Sequence, residues 1–264
     1  MRMARNRKGQ FIIIAALMIS IMIVSISTVI YGTVTYYRQE RWEEYVTIVD
    51  SIKTGSYNLL QVGLANYGQT LNSTVLRDYF NQWMRDVRKA YPGFGVDLSY
   101  ALASGIRSAY GVTLNYSLGL ARRWNQPVSF SASNATVSLD LASVGLTGYN
   151  FSSHVFLKMN IREAKWYYKE SQRYVLIYVS VEKEGPEPVV NLQKSNFEVK
   201  LSGLPQAFSV KRYYNIQYKC FIYEIRVPSD PEGDPPSSAE VRLLDTRGIT
   251  TVSYIPDTDI EPEG

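Results

Sequence analysis

The stretch RKGQFIIIAALMISIMIVSISTVIYGTVTYY, residues 7–37, decides the architecture of this 264-residue chain. From Gln10 to Tyr37 it contains no Asp, Glu, Lys, Arg or His, and Phe11 to Tyr31 is almost continuously apolar. About 20 helical residues cross a ~30 Å hydrocarbon core, so the run is long enough even when tilted. Three readings compete: a removable signal, a permanent anchor, or the assembly element of a surface filament. A secretory apolar core runs to about 7–15 residues and closes at a small-residue cleavage site. Ser25 and Ser27 have the right separation, but TVIYGTVTYY follows them and stays apolar. A retained transmembrane helix over 11–37, in contact with the lipid bilayer, is therefore expected.

The flanks set its direction. Arg2, Arg5, Arg7 and Lys8 precede the helix, whereas only Arg38 and Arg41 follow it closely. By the positive-inside rule, residues 1–10 form a basic cytoplasmic segment of a single-pass cell-membrane protein, and the rest lies outside the cell. Tyr31, Tyr36, Tyr37 and Trp42 fit an aromatic belt at the outer interface.

The formal charge of +4 has a local origin, because those four leading cations leave 24 Lys and Arg against 24 Asp and Glu. A neutral body offers nucleic acid no electrostatic footprint. One cysteine, Cys220, excludes an intramolecular disulfide framework. One histidine, His154, has no second histidine with which to complete a metal site. Neither sits in a nucleophile motif, no glycine-rich phosphate loop follows a strand, and no cofactor is expected.

Beyond the membrane the periodicity is first helical. Trp42, Tyr45, Val46, Val49, Ile52, Leu59, Leu60 and Leu64 fall mostly on one face, weakly interrupted at Gly55 and Gly63, so the span and this segment read as one long helix. In NSTVLRDYFNQWMRDVRKAYPG, Leu76, Tyr79, Phe80, Trp83, Met84 and Val87 recur at helical spacing, and Pro92 with Gly93 stops the helix. The period then becomes two, in VDLSYAL, VTLNYSLGL, NATVSLDL and HVFLKMNIREAKW. Residues 38–153 thus read as a helix pair on an antiparallel sheet, an α+β arrangement.

Residues 154–256 carry further short strands at regular spacing, YVLIYVSVEK, NFEVKLSG, FSVKRYYN, YKCFIYEIRV, AEVRLLD and GITTVSYI, which indicate a β-sandwich. Glu182, Gly185, Pro188, Val189 and Leu192, followed by Asn196 to Val199, resemble the opening of Ig-like or transthyretin-like surface sandwiches. Residues 257–264 read as an acidic tail.

Four sequons mark candidate N-glycosylation sites at Asn72, Asn115, Asn134 and Asn150, with none beyond them. The alternation in VTLNYSL points Asn115 outward. Asp230, Glu232, Asp234 and Glu240 could group around a hard cation but lack EF-hand spacing, and a solvated proline-stiffened loop is expected there. Trp166, Tyr167, Tyr168, Arg212, Tyr213 and Tyr214 would form an aromatic, cationic surface for glycans or surface proteins if they shared one face.

RKGQF before the apolar helix resembles the class III signal of archaeal type IV pilin-like proteins. That resemblance implies a prepilin-type peptidase cutting between Gly9 and Gln10, a mature helix able to self-associate, and a β-rich head facing outward. Where that family carries Glu at the fifth mature position, this chain has Ile14. The expected function is a pilin-like cell-surface structural or adhesion protein without enzymatic activity. The alternatives are a non-polymerising anchored binding module of an envelope or motility complex, and an anchored surface hydrolase.

Overall fold

A computed structural model of the chain describes residues 7–109, 111–185, 187–231, 236–256 and 260–262, without the side chains of 7–13, 37–42, 109, 144, 261 and 262. The chain divides into two compact units, one ending at Ile52 and one running from Lys53 to Gly264.

The first unit is the leading part of helix α1 (Arg7–Thr70). Ile14–Tyr36 is long and apolar enough to cross a membrane, and none of it is buried by the protein. Three of its hydroxyls bond within the helix: Ser20, Thr28 and Thr33 each donate from Oγ to the carbonyl four residues earlier, at 2.9, 2.8 and 2.8 Å. Such back-bonding gives these three hydroxyl protons an acceptor that hydrocarbon does not supply. Arg2, Arg5 and the side chains of Tyr37 and Trp42, invoked for orientation and the belt, lie outside the described residues.

In the second unit, the rest of α1 meets α2 (Val75–Ala90). The predicted α2 face holds: Leu76, Phe80 and Val87 are buried, and Tyr79, Trp83 and Met84 are half-buried. The two glycines of α1 have a packing role that periodicity alone does not show. A Cβ on Gly55 would sit 3.0 Å from Trp83 Nε1, and one on Gly63 would sit 2.6 Å from Leu76 Cδ1. Leu76 has little room to retreat, because it is fully buried. The glycines thus let the two helices approach closely. Overpacking costs about 1–3 kcal/mol while alanine returns about 1 in helix propensity. Gly63→Ala is therefore expected to lower stability by ~1 kcal/mol, read as a fall in the chemical denaturation midpoint, where a free helical position would show a rise.

The strands follow in chain order: β1 (Val96–Leu102), β2 (Gly105–Ala109), β3 (Val112–Tyr116), β4 (Leu120–Arg123), β5 (Val128–Leu141), β6 (Leu146–Lys169) and β7 (Gln172–Lys183). Then come β8 (Glu187–Pro188), β9 (Phe197–Leu201), β10 (Leu204–Pro205), β11 (Ser209–Asn215), β12 (Cys220–Ser229), β13 (Ser238–Leu244), β14 (Thr250–Pro256) and β15 (Ile260–Pro262). The larger sheet runs β1-β5-β6-β7-β12-β11, with β4 beside β5, β8 beside β7 and β15 beside β6; all its pairings are antiparallel except β15 on β6. A second antiparallel sheet runs β10-β9-β13-β14, and β2 pairs β3 in a hairpin. The chain is thus an apolar amino-terminal helix followed by a mainly β region of antiparallel sheets.

Residue 153, where the sequence reading divides two blocks, lies inside β6, a strand of 24 residues. Both helices lie on this sheet. Tyr100 Oη on β1 donates to Asn81 Oδ1 at 2.8 Å, its ring stacks on Phe80 at 4.9 Å, and Ser133 Oγ on β5 donates to the Leu60 carbonyl at 3.1 Å. On the opposite face, the hairpin closes a small core in which Leu114, Tyr116, Ala121, Phe130, Ala132 and Phe156 are buried. Part of the expected acidic tail is ordered. Residues 260–262 form a strand with Ile260 buried, because β6 has an open edge at 164–166 that an extended segment can satisfy. Residues 257–259, 263 and 264 lie outside the described residues.

The second sheet is joined to the first by polar bonds as well as apolar contact. Ser131 Oγ donates to the Thr250 carbonyl at 2.6 Å, and Asn125 N to the Val252 carbonyl at 3.0 Å. At the other end Phe197 packs on Tyr223, with ring centroids 5.3 Å apart. Tyr223 is fully buried, and that burial raises its phenol pKa. Its hydroxyl donates to the Val189 carbonyl at 2.7 Å and accepts from Leu192 N at 3.2 Å, fixing the PVVNL segment. Tyr223→Phe strands both backbone groups, and a loss of about 1–3 kcal/mol in urea denaturation is expected.

Candidate functional site

The six residues of the aromatic surface do not share a face. Strand register places Trp166 opposite Val175, Arg212 opposite Tyr223 and Tyr214 opposite Phe221, all on the side of the sheet that carries the core. Tyr168 follows that parity, and its hydroxyl donates to the Pro231 carbonyl at 3.3 Å. Tyr167 and Tyr213 point the other way, where Tyr167 stacks on Tyr174 at 5.5 Å with the Arg226 guanidinium 5.8 Å from its ring.

Of the acidic set, only Asp230 and Glu240 fall among the described residues. Glu240 is paired with Lys200 at 2.9 Å, while Glu232 and Asp234 lie outside the described residues. Among the described residues, no group of three or more His, Cys, Asp and Glu could hold a metal ion. Cys220 is half-buried at the start of β12, and His154 is exposed on β6, with β7 between those strands.

The sequons divide by setting. Asn72 caps the turn between the helices, its Oδ1 accepting from Thr74 N and Thr74 Oγ1, each at 3.0 Å. Asn115 is exposed on β3 between buried Leu114 and Tyr116, as its alternation predicts. Asn134 is half-buried in mid-sheet, with its backbone bonded to Gly119 and Ala103, and Asn150 is exposed on β6. Gly9 and Gln10 fall within the first turns of α1.

Sequence reasoning missed a concave feature within the second unit. A groove of ≈ 660 Å³ runs between the α1 turn Lys53–Tyr57 and the β6 stretch 149–154. Tyr149 and Phe151 lie on the helix side, with ring centroids 6.0 Å apart, and the Lys53 ammonium stands 5.3 Å from the Tyr149 ring. Ser56 Oγ and Ser153 Oγ, 2.8 Å apart, tie helix to strand.

Glu184 ends the groove. It follows the last β7 residue, and its carboxylate accepts from Phe156 N at 3.0 Å, standing in for the strand that has just ended. The same carboxylate pairs with Arg247, which also bonds Asp245 Oδ2 at 2.7 Å. Burial opposes the charge on Arg247, but Asp245 and Glu184 together hold its pKa above the ordinary guanidinium value. Asp245 is nearly fully buried and further accepts from Arg247 N and Ile249 N, each at 2.9 Å. Removing one partner of a buried ion pair costs about 3–5 kcal/mol. Asp245→Ala should therefore lower stability by ~3 kcal/mol in thermal or urea unfolding, and Asp245→Asn, which keeps an acceptor for the two amides, by distinctly less.

Compared with protein-family models and with curated proteins, the chain matches none.

Proposed function

We propose that the chain is a pilin-like structural or adhesion protein of the cell surface, held through its amino-terminal helix with the β-rich body outside. The observation that carries this reading is a helix, Ile14–Tyr36, whose apolar side chains are left uncovered and in which the Ser20, Thr28 and Thr33 hydroxyls bond to their own backbone. A lipid bilayer or like helices provide the apolar surroundings that such a surface requires. RKGQF supplies the second support, since cleavage between Gly9 and Gln10 by a prepilin-type peptidase removes the basic leader and keeps the whole apolar run. The β7, β12, β9 and β13 strands, with Tyr223 and Phe197 between the sheets, support an Ig-like sandwich, an architecture from which function does not itself follow. Surface proteins or glycans are its proposed partners, and exposed Asn72, Asn115 and Asn150 its best-presented glycan acceptors.

Ile14 favours a second reading, a non-polymerising anchored module, because it provides no carboxylate to pair with a neighbour's amino terminus. Both readings are open to one measurement, intact-mass analysis of protein purified from its native membrane. Loss of residues 1–9, with hexose-containing additions at the exposed sequons, is expected. An uncut amino terminus would contradict pilin-type processing and leave the anchored module, and loss of the entire apolar run would contradict both.

A further inference from the structure

We infer that the β6 edge between Tyr149 and Val155 is a binding site for an extended peptide segment of a partner polypeptide, which joins the larger sheet as an added strand. The inference begins with where the neighbours of β6 stop. On one side β5 pairs residues 146–160, and on the other β7 begins only at Leu157. Among the described residues, no strand pairs the β7 side of 149–155.

The direction of the open backbone follows from Phe156. Its N–H reaches Glu184 and its carbonyl accepts from Arg247, so its main chain faces away from β5. Backbone direction alternates along a strand, and the main-chain groups of Asn150 and Ser152 therefore face the same open edge. Both residues are exposed.

Natural edges are normally protected by charge, proline or a bulge. The stretch YNFSSHV, residues 149–155, has no Asp, Glu, Lys, Arg or Pro. β6 is irregular on either side of this stretch, between Leu146 and Tyr149 and again at Ile161/Glu163, but 149–155 itself stays in register with β5. The ≈ 660 Å³ groove flanks this edge and gives alternate side chains of an added strand a place beside Tyr57, Tyr149 and Phe151.

The chain itself indicates what kind of occupant fits. At the other end of β6, beyond the last β5 pairing, Ile260–Pro262 adds as a short extended segment and buries Ile260. That segment alternates an apolar residue with Glu261, and the groove at the open edge is flanked by the Lys53 cation. The occupant is therefore an extended segment with apolar residues at alternate positions and an acidic residue to meet Lys53. The Asn150 side chain projects to the face opposite Tyr149 and Phe151, so its sequon does not point into the groove.

The test uses the full chain in detergent micelles and the probe peptide acetyl-TVEVTV-amide. Amide exchange at Asn150 and Ser152 is expected to slow by about tenfold at saturating peptide, as ladder formation requires. A peptide N-methylated at alternate amides should lose this effect, and Ser152→Pro, which removes an edge donor and its own probe amide, should lose the slowing at Asn150 without change in melting temperature. The N-methylated probe keeps the test valid if that variant fails to fold. No protection at millimolar peptide, or equal protection by the N-methylated peptide, would overturn the proposal. So would slow exchange at Asn150 and Ser152 without peptide in a protein that sediments as a dimer, because a second copy would then hold the edge.

Discussion

The main-chain hydrogen bonding of β6 is the constraint on which the body depends. This strand is long enough to have different neighbours at its two ends, with β5 on one side early and β7 on the other side late, and only residues 157–160 are flanked by both. Every backbone amide and carbonyl left over by that stagger needs another partner or water. The molecule meets the need in three ways: β15 covers 164–166, the Glu184 carboxylate takes Phe156 N–H, and the edge at 149–155 remains for an added strand. The groove, the recruitment of the carboxyl-terminal segment and the buried Arg247 cluster thus have one origin.

A similar economy governs the polar residues of the interior. Ser129, Ser131 and Ser133 are buried on the face of β5 that carries the helices and the second sheet, and each donates to a carbonyl: Gln126, Thr250 and Leu60. These bonds fix where neighbouring elements meet the sheet, which apolar contact alone, being non-directional, does less well. The membrane-length helix uses the same device at Ser20, Thr28 and Thr33, each closed on its own backbone. In both places these hydroxyls leave water with an acceptor in reach, whereas the buried Thr250 and Thr251 hydroxyls have none.

That device also explains what the sequence hid. The α2 face, the VDLSYAL strand and most strands of the second half were legible, because their apolar residues follow one period over several turns or pairs. The first half of β5 was not, since serines occupy one buried face and Phe130 and Ala132 the other, so polarity does not distinguish inside from outside. GIRSA at β2 escaped notice because its only large apolar residue, Ile106, is exposed. The aromatic surface was legible as composition only: strand parity, which separates Tyr213 from Tyr214, depends on pairings between distant segments. The groove was illegible for the same reason, because it depends on where β5 and β7 end relative to β6. The apolar run at the amino terminus needs no tertiary information, and its character is recognisable directly.

If β6 binds the body together, residues that a division at 153 would separate must unfold together. The most direct measurement is amide exchange of the full chain across a denaturant series, comparing the β1–β5 region with the β9–β13 region. A shared opening free energy and a common denaturant dependence for the two regions are predicted. Two transitions at well-separated denaturant concentrations, with one region exchanging while the other stays protected, would contradict the account.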